Sequence, residues 1–378
     1  MRALFYVAGT SPASAFALGP LASSLRAVGH DVLLAGFEEI APSIVSIGLP
    51  AATVANGHNT ESIKTVEGRE EIGFPHNPDE ELPFLGRWFG RQASFAHAEL
   101  AGLARGWSAD VIIGGSLAYG AGLAAAACDL PYVRQSWDLF DFGGATPYAI
   151  PELAKEFAET GIETLPPPRF EVDICPPGLA DQHGQHFMRW TPHNKQRVIQ
   201  SWMYSRPPQG RICVTMGSFR SADPRVLHRL CALVEGLLPL GREVVVAAGD
   251  AESETIRQRF PAVRAGWIPL ETLLPTCDVI VHHAGGLTAI NAINAGIPQV
   301  ILNPFQAYVP PLRKLEEKGC VRTLYREQGT PTAVAEECAR ILADASYKES
   351  ARNLAEEALK TPTAPTIVAR LESELARS

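Results

Sequence analysis

The sequence predicts an α/β protein built of two Rossmann-like domains that face each other across a cleft. Three observations predict it. The chain has 378 residues, 46% of them hydrophobic, enough for two cores in place of one. Short β-rich runs alternate with helical patterns, the arrangement of parallel sheets covered by helices. A second opening at Arg211, RICVTMGS, repeats the sense of the first, RALFYVAGTS: a strand that runs into a turn of small residues.

In chain order, Ala3–Val7 reads as a strand, Phe16–Val28 as a helix and Asp31–Ala35 as the next strand, a βαβ opening. Gly57 to Asp79, polar and rich in Gly, Pro, Asn and His, reads as a long mobile loop. An amphipathic helix follows around Pro83–Leu103, and strands Asp110–Gly114 and Tyr132–Gln135 flank a helix at Gly120–Ala127. The proline-rich pieces LPPPRF, ICPPGL and YSRPPQGR suit a semi-rigid connection. They put the boundary near Pro207, with residues 1–206 as the first domain and 207–363 as the second. The second domain then offers strands Glu243–Ala247, Val263–Ala265, Asp278–His282 and Gln299–Leu302, with a helix at Thr288–Ala295. Within the last segment, 364–378, Thr366–Leu375 reads as a helix that returns to the first domain.

A net charge of −8 and a pI near 5.7, with no Lys/Arg cluster, exclude a nucleic-acid binder, so any phosphate is bound locally. The opening MRALFYVAG is too short an apolar run for a signal peptide, and no stretch of about 18 apolar residues is present to span a membrane. A soluble cytoplasmic protein without stable membrane insertion is expected, and homodimerisation is left open. Cys128, Cys175, Cys213, Cys231, Cys277, Cys320 and Cys338 form no C-x-x-C pair and read as buried reduced thiols. No Asp-x-Asp occurs, His282-His283 lacks further spaced ligands, GTSPAS is not G-x-G-x-x-G and there is no Walker sequence. No metal, NAD or ATP is therefore expected.

The most informative segment is DVIVHHAGGLTAINAINAGIP, Asp278 to Pro298, a strand that ends in His-His and a Gly pair before a helix. Such a turn presents backbone N–H groups and the positive helix end to an anion, and a diphosphate suits it. His283 and the Thr288 hydroxyl would add donors. The same pattern also makes an efficient tight turn.

Gly266-Trp267-Ile268-Pro269, then His-His-Ala-Gly-Gly-Leu-Thr, then Ala-Gly-Ile-Pro, resembles the donor-site stretch of UDP/TDP-dependent glycosyltransferases of the GT-B fold. GRWFGRQ at Gly86–Gln92, RQSWD at Arg134–Asp138, DICPP at Asp173–Pro177 and WMYSR at Trp202–Arg206 extend the likeness over nearly the full length. It is similar above all to actinomycete antibiotic glycosyltransferases, particularly the angucycline enzymes of urdamycin and landomycin biosynthesis. The resemblance implies a nucleobase near Trp267 and Ile268, and a diphosphate held by His283, Gly285, Gly286, Leu287 and Thr288, with help from Ser218. It implies inverting transfer of a deoxysugar from a TDP-sugar to an aromatic polyketide, by O- or C-glycosylation. An epimerase-like enzyme of nucleotide sugars, or a non-catalytic nucleotide-binding partner on the same fold, stays open as an alternative.

Two departures carry information. Where glucose-using relatives have an Asp-Gln pair, Asn303 to Val309 has none and offers Tyr308 and Val309. A site without hydroxyl partners fits a sugar without those hydroxyls. Many relatives also carry a histidine base in the first βα loop, whereas Gly9 to Gly19 has no histidine. The resemblance implies Asp138 as the base, with Asp141 as fallback; a loop or cap role for Asp138 stays open. A carboxylate near 3.9 matches a phenol near 10 poorly, so burial must raise its pKa or proton loss must follow bond formation. Thr10, Ser11 and Ser14 either touch sugar and diphosphate or cap the first helix. The acceptor site is expected from the Gly57–Asp79 loop, the Pro83–Leu103 helix with Trp88 and Phe89, and the Phe140–Tyr148 loop, with Phe140 and Tyr148 as its contacts. Core packing explains Trp88 and Phe89 equally well.

Overall fold

The computed structural model describes residues 1–75, 77–140, 142–180, 186–217 and 224–377. The chain forms two compact units, Met1–Cys175 with Asp181–Lys195 and Pro362–Ser378, and Pro176–Ala180 with Gln196–Thr361. The second unit thus starts ahead of Pro207.

The first unit contains β1 (Arg2–Val7), α1 (Pro12–Ala27), β2 (Asp31–Gly36), α2 (Ala41–Ser46), β3 (Ala51–Thr53), α3 (Thr60–Lys64), α4 (Glu81–Trp107), β4 (Val111–Gly114), α5 (Tyr119–Ala127), β5 (Tyr132–Gln135), α6 (Thr146–Ala149), α7 (Ala154–Thr160), β6 (Phe170–Asp173) and β7 (His186–Phe187). Its strands form one sheet in the order β3-β2-β1-β4-β5-β6-β7, every pair parallel. Strand order runs outward from β1, then jumps back across it to β4. That reversal opens a crevice at the carboxyl ends of β1 and β4, where open sheets bind ligands.

The second unit contains α8 (Ser201–Tyr204), β8 (Arg211–Thr215), α9 (Pro224–Leu237), β9 (Glu243–Ala247), α10 (Asp250–Arg259), β10 (Arg264–Gly266), α11 (Leu270–Leu273), β11 (Val279–His282), α12 (Gly286–Ala295), β12 (Gln299–Asn303), α13 (Val309–Glu317), β13 (Val321–Tyr325), α14 (Pro331–Ala343) and α15 (Ala345–Leu359). Its sheet runs β10-β9-β8-β11-β12-β13, again all parallel, with the reversal between β8 and β11. The strands read as continuous apolar runs because both faces are covered. Ile212 and Val214 join one core with Val244, Val246, Val279 and Val281, while Cys213 joins the opposite one with Val245 and Ile280. Alternate residues of a strand point to opposite faces, so one strand feeds both cores.

The last helix, α16 (Ala364–Leu375), belongs to the first unit and packs on α1 through buried Ile367, Val368 and Leu371. Two readings of irregular sequence need correction. Gly57 to Asp79 is not one long loop: Asn59 caps α3, and Ile63 and Ile72 are buried. The stretch after LPPPRF is sheet, since β6 is a strand with Ile174 and Cys175 buried beyond it. His193 packs onto α1 at Gly19, where a Cβ would lie 2.5 Å from its ring, and its Nε2 is 3.1 Å from Ser23 Oγ. Among the described residues all seven cysteines are unpaired thiols and six are buried, and no helix is long and apolar enough to cross a membrane.

Candidate active site

In the second unit the parallel register brings His282 level with Thr215, so β8 and β11 end together at the reversal. Beyond β11 the chain passes through His283, Ala284 in the left-handed region (φ +64°) and Gly285, which precedes α12 at its N-cap position. The helix begins earlier than the Thr288 start expected, at Gly286, so Gly286, Leu287 and Thr288 form its first turn. Its first internal hydrogen bond runs from the Ala289 N–H to the Gly285 carbonyl (2.9 Å). Among the described residues no side chain caps this end. The N–H groups of Gly286, Leu287 and Thr288 therefore have no helical acceptor and carry the positive end of the helix dipole.

The His283 ring lies beside this end. A Cβ at Gly217 (φ +73°) would collide with the ring, and one at Gly285 would sit 2.9 Å from it and 3.5 Å from Thr288 Oγ1. Only glycine lets the backbone approach so closely here, and at Gly217 only glycine adopts the turn without strain. Burial holds the His283 pKa down to about 4 against a weaker opposing hydrogen bond with the Thr215 backbone, and burial takes His282 to about 3. Both rings are neutral at pH 7. His283 therefore acts as a hydrogen-bonding group and not as a charge. His282 is locked by Gln299, with Nε2 2.9 Å from Oε1.

Trp267 and Ile268 follow β10 directly, on the same sheet edge. Ile268 is buried, whereas Trp267 is half-buried and its carbonyl accepts from Arg197 (3.3 Å), which also pairs with Asp250. Three strand spacings separate β10 from β11, roughly 14 Å along the edge, a span that a nucleoside diphosphate can bridge. After β12, Asn303 and Phe305 exchange hydrogen bonds of 2.7 and 3.0 Å, and Phe305 stands edge-on to Tyr308 at 5.2 Å. Val309 is buried, so of the two residues that replace the Asp-Gln pair only Tyr308 retains exposure. Ser218 and Asp141 lie outside the described residues.

In the first unit, Gly9 (φ +96°) ends the turn after β1, and its N–H donates to Gln92 Oε1 (2.8 Å), a fully buried amide of α4. Ser11 caps α1, accepting from the Ala13 N–H (3.4 Å), and Pro12 opens the helix. Ser14 packs under Gly9, where a Cβ would meet its Oγ at 2.6 Å, and Thr10 is half-buried between them. Asp138 lies just past β5, and its Oδ1 accepts from the N–H groups of Leu139 (2.6 Å) and Phe140 (3.4 Å), which orients the carboxylate. Beside it Trp137 covers Gly115, where a Cβ would be 2.6 Å from the indole, and meets Phe89 at 5.2 Å.

The expected acceptor contacts divide. Phe89 is half-buried against Trp137, Trp88 is buried against Phe84, Phe140 is buried beside Phe142, and Tyr148 is 43% exposed. Trp88 and Phe140 are thus packing residues in this structure. Sequence reasoning missed Gln92, Gly217 and Ala284, none of which carries a chemical signature alone. The helical spacing of Phe89 and Gln92, three apart, was the available signal, because it puts both on the face of α4 that meets Gly9. Among the described residues no group of three or more His, Cys, Asp or Glu is placed to hold a metal ion.

Comparison with known proteins gives the family and the fold. The family described as erythromycin biosynthesis protein CIII-like matches with its N-terminal domain over residues 23–217 and its C-terminal domain over 232–374. The chain is similar to the L-demethylnoviosyl transferase of Streptomyces niveus, 30% identical over 94% of this chain and 93% of that protein. It is also similar to the elloramycin glycosyltransferase ElmGT of Streptomyces olivaceus, 27% identical over 94% and 92%. The structure of the Streptomyces sp. SF2575 glycosyltransferase SsfS6 complexed with thymidine diphosphate superimposes with a TM-score of 0.87, at 31% identity and 99% coverage of both chains.

Proposed function

The chain belongs to the erythromycin biosynthesis protein CIII-like family and is a nucleotide-sugar-dependent glycosyltransferase of the GT-B fold, and we propose that it moves a deoxysugar from a TDP-sugar to an aromatic polyketide with inversion, without a metal. The observation that carries the reading is the uncapped amino end of α12 at the strand-order reversal, flanked by His283, Gly217 and Thr288. In it the second unit binds the donor and the first binds the acceptor. Trp267 and Ile268 receive the nucleobase; the N–H groups of Gly286 and Leu287, with Gly285, His283, Thr288 and Ser218, receive the diphosphate.

The acceptor oxygen forms a bond to the anomeric carbon as the bond from that carbon to the diphosphate oxygen breaks. The electron pair leaves with the diphosphate, and the helix end meets the charge that develops there, a role metals fill in other transferases. Asp138 takes the proton of the acceptor hydroxyl. With a phenolic acceptor of the angucycline kind, the same proton loss makes the adjacent ring carbon nucleophilic, which accommodates C- as well as O-glycosylation. Tyr308 and Phe305 offer the sugar apolar ring faces where hydroxyl partners are missing, which supports the deoxysugar.

Calorimetric titration with TDP and UDP in the presence of a chelator tests the donor half. Tighter binding of TDP than of UDP is expected; absence of binding by either nucleotide removes the reading.

A further inference from the structure

We propose that Glu152 is a positioning residue for the acceptor, a buried carboxylate that ties together the segments expected to hold it. The inference rests on the reading that the first unit binds the acceptor. Glu152 lies just after α6, on the short turn Ile150–Leu153, and its side chain is 10% exposed. Three guanidiniums converge on it: Arg69 from the segment after α3 (2.7 Å), and Arg87 (3.2 Å) and Arg91 (3.0 Å) from α4. Burial alone would raise its pKa, but the hydrogen bonds from Arg91 and Arg69 outweigh it and hold the carboxyl below its ordinary range.

Arg91 is fully buried and spends its donors on this junction. Its Nε and Nη2 reach Glu152, while Nη1 and Nη2 donate to the carbonyls of Ile63, Lys64 and Glu70. A guanidinium has five N–H donors, and five hydrogen bonds use them all. Arg87 adds the Glu70 carbonyl (2.8 Å) and carboxylate (3.1 Å), and Arg69 adds the Glu152 carbonyl (2.9 Å). One acidic group thus fixes residues 63–70 and the α6 segment onto α4.

A second observation points the same way. Gly86 and Gly90, one helical turn apart on α4, lie against the α6 segment: a Cβ at Gly86 would collide with Ala145 and Tyr148, and one at Gly90 would come within 3.1 Å of Ala149 and Glu152. The helix carries glycines to receive one segment and arginines at 87 and 91 to hold the other. Such a junction sets the distance between two walls of an acceptor site. Its own atoms need never touch the acceptor.

The test uses the full chain and alizarin, a planar hydroxyanthraquinone, as probe. Arg69→Gln leaves Glu152 paired with Arg87 and Arg91, so it preserves the fold, and Glu152→Gln keeps the shape while removing the charge. Both variants are expected to weaken alizarin binding, read by tryptophan fluorescence, about tenfold, with unchanged TDP affinity and faster amide exchange across residues 60–72. Arg69→Lys should restore part of the affinity. A merely structural role would lower stability without this split between alizarin and TDP. Alizarin binding within twofold of the parent in Arg69→Gln overturns the proposal; no binding by the parent overturns the reading of the first unit as the acceptor site, and the proposal with it. A parent that fails to bind TDP overturns the donor reading instead.

Discussion

The two sheets share one strand order around their reversal points but put different chemistry on the turn after the fourth strand. In each, a glycine beyond that strand lies under an aromatic ring. In the first unit the ring is Trp137 over Gly115; in the second it is His283 against Gly285. The indole makes that end apolar, and the turn after β1 is consumed internally by Gln92, Ser11 and Pro12. The imidazole leaves the other end polar, next to a helix whose first N–H groups have no partner along the helix. The same topology therefore carries an apolar ring at the reversal in one unit and a polar ring beside an open helix end in the other. The rings come from different loops, Trp137 from the one after β5 and His283 from the one after β11.

The largest test of this contrast is Asp138→Asn, expected to lower kcat by about 10²- to 10⁴-fold while TDP affinity holds. Loss of TDP binding would mean that the first unit's loop belongs to the donor. Next comes a mirrored pair. Gly217→Ala, which strains a left-handed residue and displaces His283, should weaken TDP about a hundredfold. Gly115→Ala, which displaces Trp137, should leave TDP alone and raise the acceptor KM; equal effects of both on TDP would break the comparison. His283→Ala should cost about tenfold in TDP affinity, the scale of one lost hydrogen bond to a charged group.

The smallest effect is a pH dependence of stability that differs between the units. His282 and His283 titrate below their ordinary 6.5 in the folded chain, so the unfolded state binds protons first as pH falls. The second core should be most stable above about pH 6.5 and lose about 1 kcal/mol between pH 7 and pH 6. Glu152 works in the other window: its depressed pKa stabilises above the ordinary 4.5, and that contribution is lost as pH falls below it. His186 and His193 of the first unit are also depressed by burial, though less far, so amide exchange at Val279–Val281 should accelerate more steeply from pH 7 to 6, after correction for intrinsic rates, than exchange at Leu4–Tyr6. Parallel behaviour of the two sets would refute the distinction.

Much of the fold was legible because parallel strands announce themselves. Val279–Val281 and Ile112–Ile113 are buried on both faces and read as unbroken apolar runs whatever surrounds them. The helix-end geometry at Gly285 was readable for a similar reason, since glycines next to a strand end have local causes. Irregular stretches were not. Residues 57–79 are polar, and nothing in them says that a buried arginine far along the chain accounts for their carbonyls. The proline-rich LPPPRF likewise hid the strand that begins at Phe170, because its partner, β5, is remote in sequence.

By itself the sequence determined two α/β units, a glycine-rich turn after the fourth strand of the second, and the lack of a histidine in the first loop, all set by local sterics and periodicity. Tertiary structure alone decided that His283 is neutral, because its burial, with Gly217 of another loop against the ring, outweighs the opposing hydrogen bond with the Thr215 backbone. It also decided that Ser11 caps a helix, that Trp88 is packed, and that Glu152 gathers three arginines. Each of these depends on which distant atoms surround a side chain, and burial, charge and hydrogen bonding follow from that neighbourhood and not from sequence spacing.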